Sequence, residues 1–135
     1  MAKKKKLHTE EQIESSINVF QGETDRACAI LGSALLEYLL GKLIEKNLTN
    51  LNNKLPDKIF HAPNAPLGTF SSRINIAHAL NLIDKSNYEE LRTIKGIRNQ
   101  FAHDLDVHTF EENQSVKDLC HNFSKGVNYA KHKKE

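Results

Sequence analysis

Residues 24–46 read TDRACAILGSALLEYLLGKLIEK, and this stretch decides the fold class. Thr24 has the side chain of a helix N-cap, and Asp25 places negative charge in the first turn. Ile30, Leu31, Leu35, Leu36, Leu39, Leu40, Leu43 and Ile44 then recur at helical spacing. An apolar stripe that wide covers more than half of a helix circumference. The helix is therefore expected to run through the centre of a core or to share a face with a second subunit. Gly32 and Gly41 lie inside it, at a cost of roughly 1 kcal/mol each relative to alanine. A close helix–helix approach is one reason to accept that cost. Ser33, Glu37, Gly41 and Lys42 interrupt the apolar run. A membrane span needs about 20 nearly uninterrupted apolar residues, so none is predicted.

Outward from this helix the chain keeps the same period. Thr9 and Gln12 have capping-box spacing, and Ile13, Ile17 and Phe20 follow, with Gly22 as the stop. Residues 47–67 lose the pattern and hold all three prolines, Pro56, Pro63 and Pro66, with several asparagines. This is a long connection that contains a helical turn around Leu55 to Phe60 or forms an ordered loop over the core. A third helix is predicted after Gly68, capped by Thr69 or Ser71 and running through Ile74, Ala77 and His78 to Leu80–Ile83. Ser86 and Glu89 repeat the capping-box spacing and open a fourth, through Tyr88, Leu91, Ile94, Ile97 and Phe101. Asp104 to His108 is a loop, and Asn113 or Ser115 caps a last helix through Val116, Leu119, Phe123 and Val127. Nothing alternates with period two and no repeat is visible. The sequence predicts an all-α, five-helix bundle with a long Pro/Asn-containing loop between helices two and three.

The 135 residues fit one domain, at 9–130, between basic tails at 1–8 and 131–135. Lys3 to Lys6 with Lys131, Lys133 and Lys134 supply seven of the 19 basic residues. Residues 7–130 then hold 12 basic and 16 acidic residues, a net of −4. A mildly acidic body argues against a broad basic groove for a nucleic-acid duplex. The tails are solvated ends, or they hold phosphates loosely. The basic N-terminal run lacks the apolar segment of a signal peptide, which points to the cytoplasm. Cys28 and Cys120 form no zinc or redox signature and read as buried free thiols.

Strong chemical motifs are missing: no phosphate-binding glycine loop, no CxxC pair, no HExxH, no GxSxG and no EF-hand loop. No cofactor and no metal site is expected, although His103, Asp104, Asp106 and His108 could be drawn as ligands. His78, among apolar neighbours, reads as a core or interface residue, and His121 as a helix-surface one. What remains is Ile97-Arg98-Asn99-Gln100-Phe101-Ala102-His103. Asn99 and His103, four apart, share a helix face; Arg98 and His103, five apart, do not. Arg98 reaches the same place only through its long side chain, by a bend, or across a dimer axis. Histidine exchanges protons near neutral pH. Arginine presents a charged fork to phosphate oxygens, and asparagine can orient either. The set is equipped for phosphoryl chemistry, but spacing alone favours a helix end whose polar residues make caps and an intersubunit hydrogen bond.

Arg98-x4-His103, with polar Asn99 directly after the arginine, resembles the signature of the HEPN superfamily. A longer stretch is similar to the mannitol operon repressor (MltR-like) family, itself HEPN-like. That likeness runs over Asp25-Arg26-Ala27 through Leu36-Glu37, Ala65-Pro66-Leu67-Gly68-Thr69-Phe70-Ser71-Ser72-Arg73-Ile74, Ala79 to Ile83, and Ile97 to His103. The HEPN resemblance implies a helical homodimer and a metal-independent endoribonuclease of toxin or defence type. In it the ribose 2′-hydroxyl attacks the adjacent phosphate at a cleft between subunits. Carried over, His103 handles the proton, Arg98 stabilises the charged phosphorus centre and Asn99 positions one or both. The MltR-like resemblance implies instead a non-catalytic regulator that represses transcription indirectly through a protein partner.

Overall fold

A computed structural model describes residues 9–121 and 123. The tails at 1–8 and 131–135, the domain limit at 130 and Val127 of the last predicted helix lie outside these residues. Among the described residues there are six α-helices, one short 3-10 turn and no strand. They are α1 (Glu10–Val19), the 3-10 turn Phe20–Gly22, α2 (Asp25–Lys46), α3 (Leu55–Phe60), α4 (Phe70–Ala79), α5 (Lys85–His103) and α6 (Gln114–His121). The chain is all-α as expected, with six helices where five were predicted. The additional one is α3, a single short helix inside the proline-containing connection. Pro56 falls in its first turn, where a missing N–H costs nothing.

Local signals explain most of the boundaries. The Thr9 N–H donates to Gln12 Oε1 at 2.9 Å, and the Gln12 N–H to Thr9 Oγ1 at 3.2 Å, completing the capping box of α1. Thr24 caps α2 by accepting from the Ala27 N–H. Thr69, rather than Ser71, caps α4 in a box with Ser72, and Asn113, rather than Ser115, accepts from the Val116 N–H at the start of α6.

Two boundaries differ from expectation. Helix α5 opens at Lys85, capped by Asp84, whose carboxylate accepts from the Asn87 N–H at 2.7 Å. Ser86 and Glu89 are thus inside the helix and form no capping box. Helix α4 stops at Ala79, although the apolar run continues to Ile83. Asn81 adopts a left-handed conformation (φ 58°). Its N–H donates to the His78 carbonyl, and the Leu82 N–H to the Ala77 carbonyl. This is the reverse turn that commonly ends helices.

Helix α2 is the centre of the fold, packing against both α4 and α5. Leu40 and Ile44 of α2 share one apolar cluster with Phe60, Leu67, Phe70, Ile74 and Ala77. A second cluster joins Ile97, Phe101, Val107 and Val116. By length and composition alone α2 is long and apolar enough to cross a bilayer, a test that a core helix of a globular fold also passes. In the fold its interruptions are used: Ser33 and Gly41 are buried, and Glu37 faces an arginine of α5. Its other side stays in solvent, with Ile30 at 38% and Leu31 at 45% exposure.

Gly41 has a definite reason, though not the helix–helix approach its position predicts. Arg73 of α4, only 7% exposed, inserts its guanidinium against α2. Its Nη1 donates to the Glu37 carbonyl at 2.9 Å, Nε to Leu67 at 2.8 Å and Nη2 to Phe60 at 3.1 Å. In a helix the carbonyl of residue 37 lies beneath the side chain of residue 41. A Cβ on Gly41 would sit 2.9 Å from Arg73 Nη1. The glycine leaves that carbonyl open to a second donor.

Candidate functional site

The motif occupies the last two turns of α5. Ile97 and Phe101 turn inward and are buried, which fixes the helix against its neighbours. Arg98 and Asn99, on the adjoining face, are half-buried, and His103 is exposed as the final helical residue. The burial pattern follows from the i, i+4 spacing of Ile97 and Phe101.

Arg98 is held on three sides. Nη1 lies 3.8 Å from the Glu37 carboxylate of α2, and Nη2 donates to Asn99 Oδ1 at 3.3 Å. The guanidinium carbon lies 5.5 Å from the centre of the Phe70 ring at the start of α4. The contact with Glu37 is an ion pair beyond hydrogen-bond length between half-exposed groups, worth less than about 1 kcal/mol. It orients the fork without sequestering it. Glu37 thereby serves both buried and half-buried arginines, Arg73 through its carbonyl and Arg98 through its carboxylate. Burial lowers the Arg73 pKa, and the nearby Glu37 charge works against that shift.

The segment after His103 is tied to the start of α2. The Asp104 N–H closes the helix on the Gln100 carbonyl at 3.0 Å. Arg26 Nη2 donates to the carbonyls of Asp104, Leu105 and Val107, the last at 2.8 Å. Asp25 accepts from the Phe110 N–H at 2.9 Å. Neighbouring residues in the first turn of α2 therefore pin both ends of the 104–110 segment, and with it the end of α5. Arg26 Nε is buried and finds no hydrogen-bond partner among the described residues.

The structure brings Arg98 and Asn99 together and leaves His103 one turn further along. Among the described residues His103 makes no hydrogen bond with either, so the three groups do not close into one site within a single chain. The residues that sequence reasoning missed are Glu37, Arg26 and Asp25 as supports. Their signal was a carboxylate in the middle of an apolar stretch and an acid–base pair in a helix first turn.

The alternative centres differ in character. Asp104 accepts from the Asp106 N–H instead of facing a histidine pair. Among the described residues no group of three or more His, Cys, Asp or Glu side chains is gathered as metal ligands would be. His78 is half-buried and stacks on Tyr88 at 4.4 Å between ring centres, which makes it a packing residue of the α4–α5 contact. Cys28 and Cys120 are free and half-buried, not fully buried as expected. Cys28 Sγ donates to the Phe20 carbonyl at 3.0 Å. Burial, and then the charge of Asp25, push the Cys120 thiol pKa up.

Comparison with protein-family models, curated proteins and solved structures finds no match to this chain.

Proposed function

We propose that the chain is a HEPN-type, metal-independent endoribonuclease of toxin or defence type. It acts in the cytoplasm as a homodimer whose cleft takes Arg98, Asn99 and His103 from both subunits. The observation that carries this reading is the division of roles on α5. Arg98 is pre-oriented by Asn99, Glu37 and the Phe70 ring, while His103 is exposed at the rigidly anchored helix end. His103 takes the proton from a ribose 2′-hydroxyl, the freed oxygen attacks the adjacent phosphorus, and the bond to the 5′-oxygen breaks. The leaving 5′-oxygen is protonated and a cyclic phosphate remains. Arg98 stabilises the negative charge that builds on the phosphorus oxygens. A phosphate displaces the 3.8 Å Glu37 contact at small cost, because that pair is weak and half-exposed. The solvent-facing side of α2 with Ile30 and Leu31 supports the homodimer.

The test is cleavage of total tRNA and of single-stranded RNA in EDTA. Wild-type protein is expected to cut and to leave cyclic phosphate ends. No cleavage by folded, dimeric protein overturns the proposal. That outcome favours the second reading, a non-catalytic MltR-like regulator that binds a protein partner. The observation on that side is that Arg98 pairs with Asn99 while exposed His103 sits one turn further along α5, bonded to neither among the described residues.

A further inference from the structure

The outward face of α5 carries cations that the Arg98–His103 motif does not use. At about 100° per residue, Tyr88, Arg92, Lys95, Asn99 and His103 fall within roughly 80° of one another, away from buried Ile97 and Phe101. From Arg92 to His103 they cover about 16 Å of helix. Arg92 and His103 are exposed, and Lys95 and Asn99 are half-buried.

Both cations are set in place by neutral groups. The Arg92 guanidinium carbon lies 5.6 Å from the centre of the Tyr88 ring. That ring stacks on His78, and its hydroxyl donates to Asn75 Oδ1 at 3.2 Å. Lys95 Nζ donates to Ser71 Oγ at 3.4 Å. Among the described residues neither cation forms an ion pair with a carboxylate; the pairs there are Lys42–Glu45 and Arg98–Glu37. A ring contact and a long hydrogen bond direct a cation without neutralising it. Arg92 and Lys95 thus keep their charge for an incoming anion, on a body that is otherwise mildly acidic.

The start of α4 ties these cations to the motif. Consecutive residues Phe70 and Ser71 meet Arg98 and Lys95, which are one turn apart on α5. Lys95 is therefore beside Arg98, and Arg92 lies one turn further from His103. Exposed Glu89 borders the row toward the start of α5. A row one side chain wide suits one phosphate backbone, whereas a duplex needs a broader basic surface.

We propose that this face of α5 is the track of a single RNA strand, in which the phosphates next to the scissile one lie over Lys95 and Arg92. The track rests on the nuclease reading above for the place of the scissile phosphate, and it adds the path and the single-stranded form of the substrate.

The test is binding of a fluorescein-labelled oligouridylate to the full-length chain in EDTA, with His103→Ala as the parent so that the RNA stays intact. Glutamine is as good a helix former as lysine or arginine, so Arg92→Gln and Lys95→Gln remove charge and keep the helix. Each is expected to lower the slope of log affinity against log salt by about 0.7, one phosphate contact on a single strand. At ~0.1 M salt that is about a fivefold loss each and about 25-fold together. Lys46→Gln removes an exposed charge at the end of α2, the helix on the buried side of α5, and is expected to change neither affinity nor slope. An unchanged slope in the double variant, an equal loss in Lys46→Gln, or no RNA binding by the parent overturns the track. A duplex that competes as well as the single strand also overturns it. So does polyglutamate that displaces the RNA at equal charge, which identifies an acidic protein as the occupant.

Cleavage by protein with His103 intact separates the track from the nuclease reading. A raised KM at unchanged kcat in the double variant supports both. A wild-type KM there removes the track alone, and binding through Arg92 and Lys95 without any cleavage removes the nuclease reading alone.

Discussion

His103→Ala is expected to lower RNA cleavage by about 10²–10⁴-fold, the range that loss of a general acid–base group produces, while leaving the fold intact. The contrast rests on where His103 sits. It is exposed at the last position of α5 and carries no side-chain hydrogen bond within the described chain. The helix is closed after it by the backbone of Asp104, which no side-chain change at 103 removes. Stability should therefore move by no more than about 0.5–1 kcal/mol, the scale of surface substitutions and of a cation at a helix C-terminus. Single-turnover cleavage and a denaturation midpoint on the same preparation check both halves. Cleavage by His103→Ala at the wild-type rate would remove His103 from the site. Arg98→Ala is a less clean probe, because it also strips a contact from the Phe70 ring at the start of α4.

Arg73→Ala is expected to cost about 3–5 kcal/mol, the effect of breaking a buried, charge-assisted hydrogen-bond set. Three carbonyls, on Glu37, Phe60 and Leu67, lose a charged donor together, and the space left by the side chain is lined by Phe60. That is a large share of the stability of a domain of this size. Gly41→Ala provides the internal control. By helix propensity alone alanine at this position should stabilise α2 by roughly 1 kcal/mol. With Arg73 present, the new Cβ falls 2.9 Å from a guanidinium nitrogen that three carbonyls hold in place, so the substitution should destabilise. In the Arg73→Ala background the obstacle is gone and the sign should reverse. Urea titrations of the four proteins in this double-mutant cycle measure the coupling. A cost below about 1 kcal/mol for Arg73→Ala, or no sign reversal at Gly41, rejects this account.

Much of this architecture is legible in the sequence wherever a cap and a period agree. Thr24 with the following apolar stripe places α2 at its observed bounds, and Thr9 with Gln12 does the same for the start of α1. Where two residues satisfy the same template, as Thr69 and Ser71 do, spacing cannot choose between them. At α5 the Ser86–Glu89 spacing points two residues too late, because the Asp84 carboxylate reaches the Asn87 N–H and caps the helix without a partner glutamate. The Leu80–Ile83 run reads as helix because apolar residues fill both a helix end and the turn beyond it. Only the left-handed backbone at Asn81 separates the two. The candidate site is legible in part. Arg98, Asn99 and His103 stand out by residue type and spacing as candidates, and the contacts that hold Arg98 do not. Glu37 meets Arg98 across α2 and α5, and Arg26 meets carbonyls 78 to 81 positions away. Such pairings depend on how helices cross, which no local pattern encodes.

The guanidinium of Arg73 also sets where the chain can change length. By gripping residues 37, 60 and 67 from position 73, it acts as a non-covalent staple across the α2–α4 connection. The span from Phe60 to Arg73 is measured out by that staple, so one added residue there would pull a carbonyl away from its donor. Residues 47–54 lie between the anchored carbonyls of Glu37 and Phe60, after α2 has ended, and are mostly exposed. Doubling a flexible stretch of that kind costs only about 0.6 kcal/mol in closure entropy. The connection thus divides into a variable half and a measured half: inserted tags or foreign loops belong before Leu55, and nothing can be added between Phe60 and α4 without releasing the staple.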